Sequence, residues 1–163
     1  MEQINIFSPA TIANVSCGFD VLGLALDTVG DIMIIRKVAK KGISITKISP
    51  QNLPLETHKN VAGVAALALL SETYSDFGFE IEIEKRIKPG SGIGSSAASS
   101  AGAVWAINEL LGKPFNSTDL VRFAMEGERL ATGVAHADNV APALFGGFTL
   151  VRSYDPLDII SIH

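Results

Sequence analysis

The chain has 163 residues, 47% of them apolar and 18% charged, which suits one globular domain with a real core and excludes a disordered chain. Its formal net charge of −4 disfavours a nucleic-acid partner, which would require a basic face to displace phosphate counterions; a local pocket for a small phosphorylated ligand stays open. Cys17 is a lone cysteine without zinc-type spacing, no secretion signal is visible over residues 1–10, and the longest apolar run, 61–70, is too short to cross a bilayer. A reducing cytoplasm and no membrane partner are therefore expected.

Residues 4–7 read as a short strand, followed by a turn at Pro9 and an irregular, glycine-punctuated segment through Gly18 and Gly23. Residues 31–37 and 42–48 alternate at the two-residue period of half-buried strands, and 50–54 is a proline-bounded loop. The Ala- and Leu-rich run 59–73 contains no proline and predicts a buried helix. Over 77–87, Phe79, Ile81 and Ile83 alternate with Glu80, Glu82 and Glu84, as in a strand with one face in water. A turn over 88–92 leads to a small-residue helix over 95–111, closed by Gly112 and Pro114. Ser117 or Thr118 is expected to cap a further helix running to about residue 131. Two more strands, 146–152 and 157–162, flank Tyr154-Asp155-Pro156. The last ends at His163 without a cap or tail, which suggests a chain cut short. Strands, then helices, then strands predict an α+β fold with helices layered on a mixed or mostly antiparallel sheet.

The strongest local signal is Pro89-Gly90-Ser91-Gly92-Ile93-Gly94-Ser95-Ser96-Ala97-Ala98, continued by Ser99 and set between a predicted strand and a predicted helix. Glycines let the backbone turn tightly and approach an anion closely, because no Cβ intervenes. A helix opening near Ser95 adds unpaired N–H groups and the positive end of its dipole, which together make a phosphate-type site. Ser95 and Ser96 carry hydroxyls able to cap the helix or to reach a phosphate or Mg2+. The same turn also reads as a plain helix cap. A Walker loop is excluded because no lysine follows the glycines. A dinucleotide fingerprint is excluded because Ser95 stands at its third glycine and its acidic residue is missing.

Two further segments carry polar residues in suggestive order. Asn14 and Asp20 lie in the irregular stretch 9–23, where such side chains often only form turns. Glu126-Gly127-Glu128 precedes His136-Ala137-Asp138-Asn139, in which no third spaced ligand supports zinc and Asp138 or Asn139 could equally cap a helix.

The loop closely resembles the Pro-x-x-x-Gly-Leu-Gly-Ser-Ser-Ala motif of the GHMP kinases, with Ile93 in place of leucine. Segment 9–23 resembles Pro-Ala-Thr-x-Ala-Asn-x-x-x-Gly-Phe-Asp-x-x-Gly, and 136–143 resembles His-Ala-Asp-Asn-x-x-Pro-Ala, both of the homoserine kinase branch. The likeness runs from Ile4 onward with the motifs in order. It implies a GHMP kinase N-terminal domain, similar in fold to ribosomal protein S5 domain 2, over residues 1–163, with the C-terminal domain absent. By the same resemblance, ATP and Mg2+ are the expected cofactors, with the loop residues 89–99 holding the triphosphate and Asn60, in a weaker match, near the adenine. Ser96 and Glu128 would take the metal ion, and Asn14, Asp20 and Asn139 would face homoserine, with Asp20 and Asn139 at the reaction centre. No base role is expected of Asp138 or Asp20. A homodimer is compatible with the resemblance, and the 163-residue chain alone is expected to bind ATP weakly and to lack turnover. The rivals are a mevalonate or sugar kinase of the same superfamily and a non-catalytic, S5-like RNA-binding domain.

Overall fold

The computed structural model describes residues 1–162. Strands β1 (Gln3–Val15), β2 (Gly18–Val38), β3 (Gly42–Ser49), β4 (Gly78–Glu84), β5 (Phe148–Tyr154) and β6 (Leu157–Ile162) form one sheet. Helices α1 (Val61–Ser71), α2 (Ser95–Leu110), α3 (Ser117–Thr132) and α4 (Val140–Phe145) complete the fold. The sheet order is β3-β4-β2-β5-β6, with β1 also paired to β2. Among the described residues only β3 and β4 run parallel. The α+β class with a mixed, mostly antiparallel sheet is the one the element order predicts.

The alternation on β4 does what its sequence demands. Phe79, Ile81 and Ile83 are buried with Met33 and Ile35 of β2 beneath the helices, while Glu84 is exposed and Glu80 and Glu82 are half-buried on the other face. Full burial of such side chains contributes about 1.5–3 kcal/mol each. Helix α2 is small-sided throughout its first half, with Ala97, Ala98, Ala101 and Ala103 all essentially inaccessible, so its backbone packs close to the sheet.

The N-terminal third differs from the sequence reading. The short strand and the irregular segment are in fact one long antiparallel hairpin, paired from Gln3↔Arg36 to Val15↔Gly18. Register shifts between Pro9 and Thr11 and between Ala13 and Val15 break the two-residue period that reveals a strand. Two helix starts also move. Asn60 caps α1, its side chain accepting from the N–H groups of Ala62 and Gly63, while residues Thr57–Lys59 form a 3-10 turn ahead of it. Asn116, and neither Ser117 nor Thr118, caps α3 in a reciprocal box with Asp119. Helix α4 is the helix start allowed for at Asp138 or Asn139: Asn139 stands at its N-cap, although its side chain makes no cap bond, and Pro142 is tolerated in the first turn, where proline has no intrahelical N–H bond to lose.

Candidate active site

The loop between β4 and α2 turns through Gly90, Gly92 and Gly94, at φ 76, 79 and 62°, all in the left-handed region that excludes most side chains. Gly94 stands at the N-cap of α2 and no side chain supplies a cap bond there, leaving the first-turn N–H groups aimed past the loop. A Cβ on Gly94 would collide with the Thr11 hydroxyl, so the loop sits hard against β1. Of the two serines, Ser95 is committed inward, donating to the Ile87 carbonyl at 3.1 Å.

A cavity of about 470 Å³ opens at this loop, lined by Gly90, Gly92, Gly94, Ser96, Lys85 and Glu128 among others. Pro89, Ser95, Ser99 and Asn60 also reach its wall. Asn60 is nearly inaccessible, and its amide is spent on the α1 cap and on the Pro54 carbonyl at 2.8 Å. Ser91, Ile93, Ala97 and Ala98 do not line the cavity. They shape the loop: the Ser91 N–H donates to Lys88, the Ile93 carbonyl accepts from the Thr11 N–H, and both alanines pack in the core.

Lys85 and Asp31 were not singled out from the sequence. Lys85 continues the inward register of Phe79, Ile81 and Ile83, and Asp31 that of Met33 and Ile35; opposite charges on the buried parity of paired strands are the signal that marks them. The Lys85 ammonium donates to Asp31 Oδ2, to the Ser95 carbonyl at 2.6 Å and to Ser99 Oγ at 2.9 Å. Asp31 Oδ1 accepts from the Ile87 N–H at 2.9 Å. The pair therefore clamps both ends of the glycine-rich loop to the sheet. Burial pushes the Lys85 amine below its ordinary value, and the Asp31 carboxylate opposes that shift.

Beside the first cavity lies a second, of about 240 Å³, lined by Asn14, Asp20, His136 and Asp138. Asn14 and Asp20 both take left-handed φ of 59° near the hairpin tip. Asp20 is gripped at both backbone ends: its N–H donates to Asn14 Oδ1 at 2.7 Å, and its carbonyl accepts from the Tyr154 hydroxyl at 2.9 Å. Tyr154 in turn accepts from the Ala137 N–H at 3.2 Å. His136 Nδ1 stands 3.7 Å from Asp20 Oδ1. A Cβ on Gly23 would strike the Asp138 carbonyl, so the hairpin lies directly on the α3–α4 connection.

Glu128, Thr132 and Asn139 line both cavities. Burial pushes the Glu128 carboxyl above its usual range; the neighbouring Ser96 hydroxyl pulls it back, Asp138 raises it further, and His136 and Lys85 lower it. Asp138 is likewise raised by burial, with His136 pulling down and Asp20 pushing up. Glu128 Oε1 is buried without a hydrogen-bond partner. An orphaned carboxylate oxygen near a serine hydroxyl suits a hard cation that takes oxygen ligands. Among the described residues no group of three His, Cys, Asp or Glu could cage a metal ion.

The fold and this paired site define a class: an α+β domain with a glycine-built loop leading into a helix and two adjoining cavities beside it. The family model for the GHMP kinases N-terminal domain matches residues 59–147, and the chain belongs to that family. Homoserine kinases are among its relatives in that family. That of Methanococcus vannielii is 43% identical over 164 residues, covering 99% of this chain and 54% of that protein. The crystal structure of homoserine kinase from Cytophaga hutchinsonii superposes with a TM-score of 0.92 at 52% identity, covering 99% of this chain and 52% of that one. Methanococcus jannaschii mevalonate kinase, at 17% identity and a TM-score of 0.74, shares the fold alone. The chain spans about half the length of the curated relatives it matches.

Proposed function

We propose that the protein transfers the γ-phosphoryl group of ATP to the side-chain hydroxyl of L-homoserine, giving O-phospho-L-homoserine and ADP, a step toward threonine. Residues 1–163 would supply its nucleotide-binding domain. The supporting observation is the shared wall: Glu128 and Asn139 stand between a phosphate loop and a small polar cavity, as a transfer between two substrates requires. Phosphoryl transfer depends on positioning and on neutralising charge at the phosphate oxygens, with little covalent work for the protein.

In this reading the N–H groups of residues 92–96 hold the β- and γ-phosphates, on a loop kept in shape by Lys85 and Asp31. Ser96 and Glu128 hold Mg2+, which when bound neutralises negative charge on the phosphates. Asn14 and Asp20 receive the amino acid, with Asp20 and Asn139 beside the reacting hydroxyl. Asp138 is given no base role; a pH–rate profile of Asp138→Ala tests this, the assignment failing if the alkaline or acid limb vanishes. The relatives are about twice as long as this chain, and groups for the substrate carboxylate are expected in that remaining length. The reaction is assigned to the cytoplasm. No helix among the described residues is long and apolar enough to cross a membrane.

A panel of homoserine, mevalonate and galactose offered to the intact protein with ATP and Mg2+ tests the reading. Homoserine should be turned over; turnover of mevalonate or galactose with homoserine untouched overturns it.

A further inference from the structure

We propose that Thr11 is the positioning residue that couples the phosphate loop to the acceptor cavity, by holding the Asn139 amide with its NH2 group turned toward the wall the two cavities share. The proposal rests on the phosphotransfer reading above and extends it to a residue that touches neither substrate.

On a regular strand with one face outward, successive side chains alternate between core and solvent. Ala10 and Thr11 are neighbours on β1, yet both have zero exposure. The register shift between Pro9 and Thr11 accounts for this: one residue of β1 stands opposite residues 26–29 of β2, and the bulge re-aims Thr11 inward. There Thr11 makes two bonds to two different segments. Its N–H donates to the Ile93 carbonyl in the phosphate loop at 3.2 Å. Its hydroxyl donates to Asn139 Oδ1 at 2.8 Å. Gly94 has room for a hydrogen and nothing more against that same hydroxyl, so loop, threonine and asparagine form one packed unit.

Asn139 is free for this use. It stands at the N-cap of α4, yet its side chain makes no cap bond there. With Oδ1 engaged by Thr11, the amide plane is fixed and its two N–H donors are what remains for the cavities. Donors suit the oxygens of a transferring phosphoryl group, where negative charge is concentrated. A movement of the loop on nucleotide binding is carried to Asn139 through Thr11, with no other side chain between them.

The test uses Thr11→Val, which keeps the shape and removes the donor, and Thr11→Ser, which keeps the donor, both in the intact protein. In Thr11→Val kcat should fall roughly 10- to 100-fold with KM for ATP changed less than about 3-fold, and Thr11→Ser should restore most of the loss. A wild-type kcat in Thr11→Val, or equal losses in both variants, overturns the proposal. A second readout does not depend on homoserine turnover. The side-chain NH2 resonances of Asn139, identified by their disappearance in Asn139→Asp, should shift and broaden in Thr11→Val and stay in place in Thr11→Ser. If the wild-type protein does not phosphorylate homoserine, the functional reading fails, and Thr11 is judged on those resonances alone: unchanged in Thr11→Val, they refute its role.

Discussion

Around the glycine-rich loop the site is shaped by backbone conformation: three glycines at positive φ and a helix start without a side-chain cap, held from behind by Lys85 and Asp31. Around the hairpin tip the shape is set by a side chain whose bonds join residues far apart in sequence, Tyr154 to Asp20 and to Ala137. A ligand common to many kinases can be met by backbone N–H groups, which any sequence possesses. The acceptor differs from one kinase to another, so its site has to be written in side chains. The two regions should therefore fail differently when altered: the loop through loss of its scaffold, the tip through loss of one substrate's grip.

The largest effect is expected at the scaffold. Lys85 and Asp31 are 2% and 0% exposed, and Lys85→Met leaves an uncompensated carboxylate in the core, which should cost about 3–5 kcal/mol of stability. Urea unfolding checks it, and a loss below about 1 kcal/mol would mean that the loop is not anchored through this pair.

Glu128→Gln should come next, lowering kcat/KM at saturating Mg2+ by roughly 100-fold or more. Its pH behaviour separates a metal ligand from a merely buried acid. Burial raises the folded-state value of this carboxyl above 4.5, so if Glu128 holds Mg2+ as proposed, protons should compete for it already above the ordinary carboxylate range, and Mg2+ affinity should decline as pH falls toward that raised value. Stability runs the other way. The folded state holds its proton longer than the unfolded state, so the favourable contribution is full below the unfolded value and is lost as pH rises through the folded one. Glu128→Gln should therefore be more stable than wild type at neutral pH and should lose that advantage as pH falls below the ordinary carboxylate value. Thermal unfolding at the two pH values without Mg2+ decides it.

The same contrast explains what could be read in the sequence. The loop was legible because residues 89–99 are contiguous and glycine has few reasons to recur at every second position. The alternation of Phe79, Ile81 and Ile83 with glutamates was legible for the same local reason. The hairpin was not, since its bulges at Ala10 and Asn14 destroy the period that would announce it. Lys85 was legible in principle, as a lysine on an inward register. Tyr154 was not, because no pattern around it announces a hydroxyl that reaches Asp20 across 134 positions of sequence. The start of α4 was legible as a cap at Asp138 or Asn139, but its course was not, because local propensity counts Pro142 against a helix wherever it stands.

At the hairpin tip, Tyr154→Phe keeps the ring and removes the hydroxyl that grips the Asp20 carbonyl. KM for homoserine should rise about 10-fold while KM for ATP stays within about 2-fold, a loss of the size expected for one partly exposed hydrogen bond. Combined with Asn14→Ala, which releases the other end of Asp20, the two losses should not add, because both act on one residue. Equal increases in both KM values would show that the two regions are not energetically separate.

The smallest effect is expected outside both cavities, and it calibrates the rest. Asn116 caps α3 in a box with Asp119, on the helix that carries Glu128, but at its far end from that residue. Asn116→Ala should cost about 1 kcal/mol of stability through its unsatisfied N–H group. If α3 acts as a rigid arm, both KM values and kcat should be unchanged, since the fraying of a first turn leaves Glu128, Thr132 and the helix packing on α1 and α2 where they are. A fall in kcat at unchanged KM would instead mean that loosening one end of α3 moves the carboxylate at the other. The separation drawn between scaffold and site would then hold for the sheet, where Lys85 and Asp31 sit, but not for the helix that faces it.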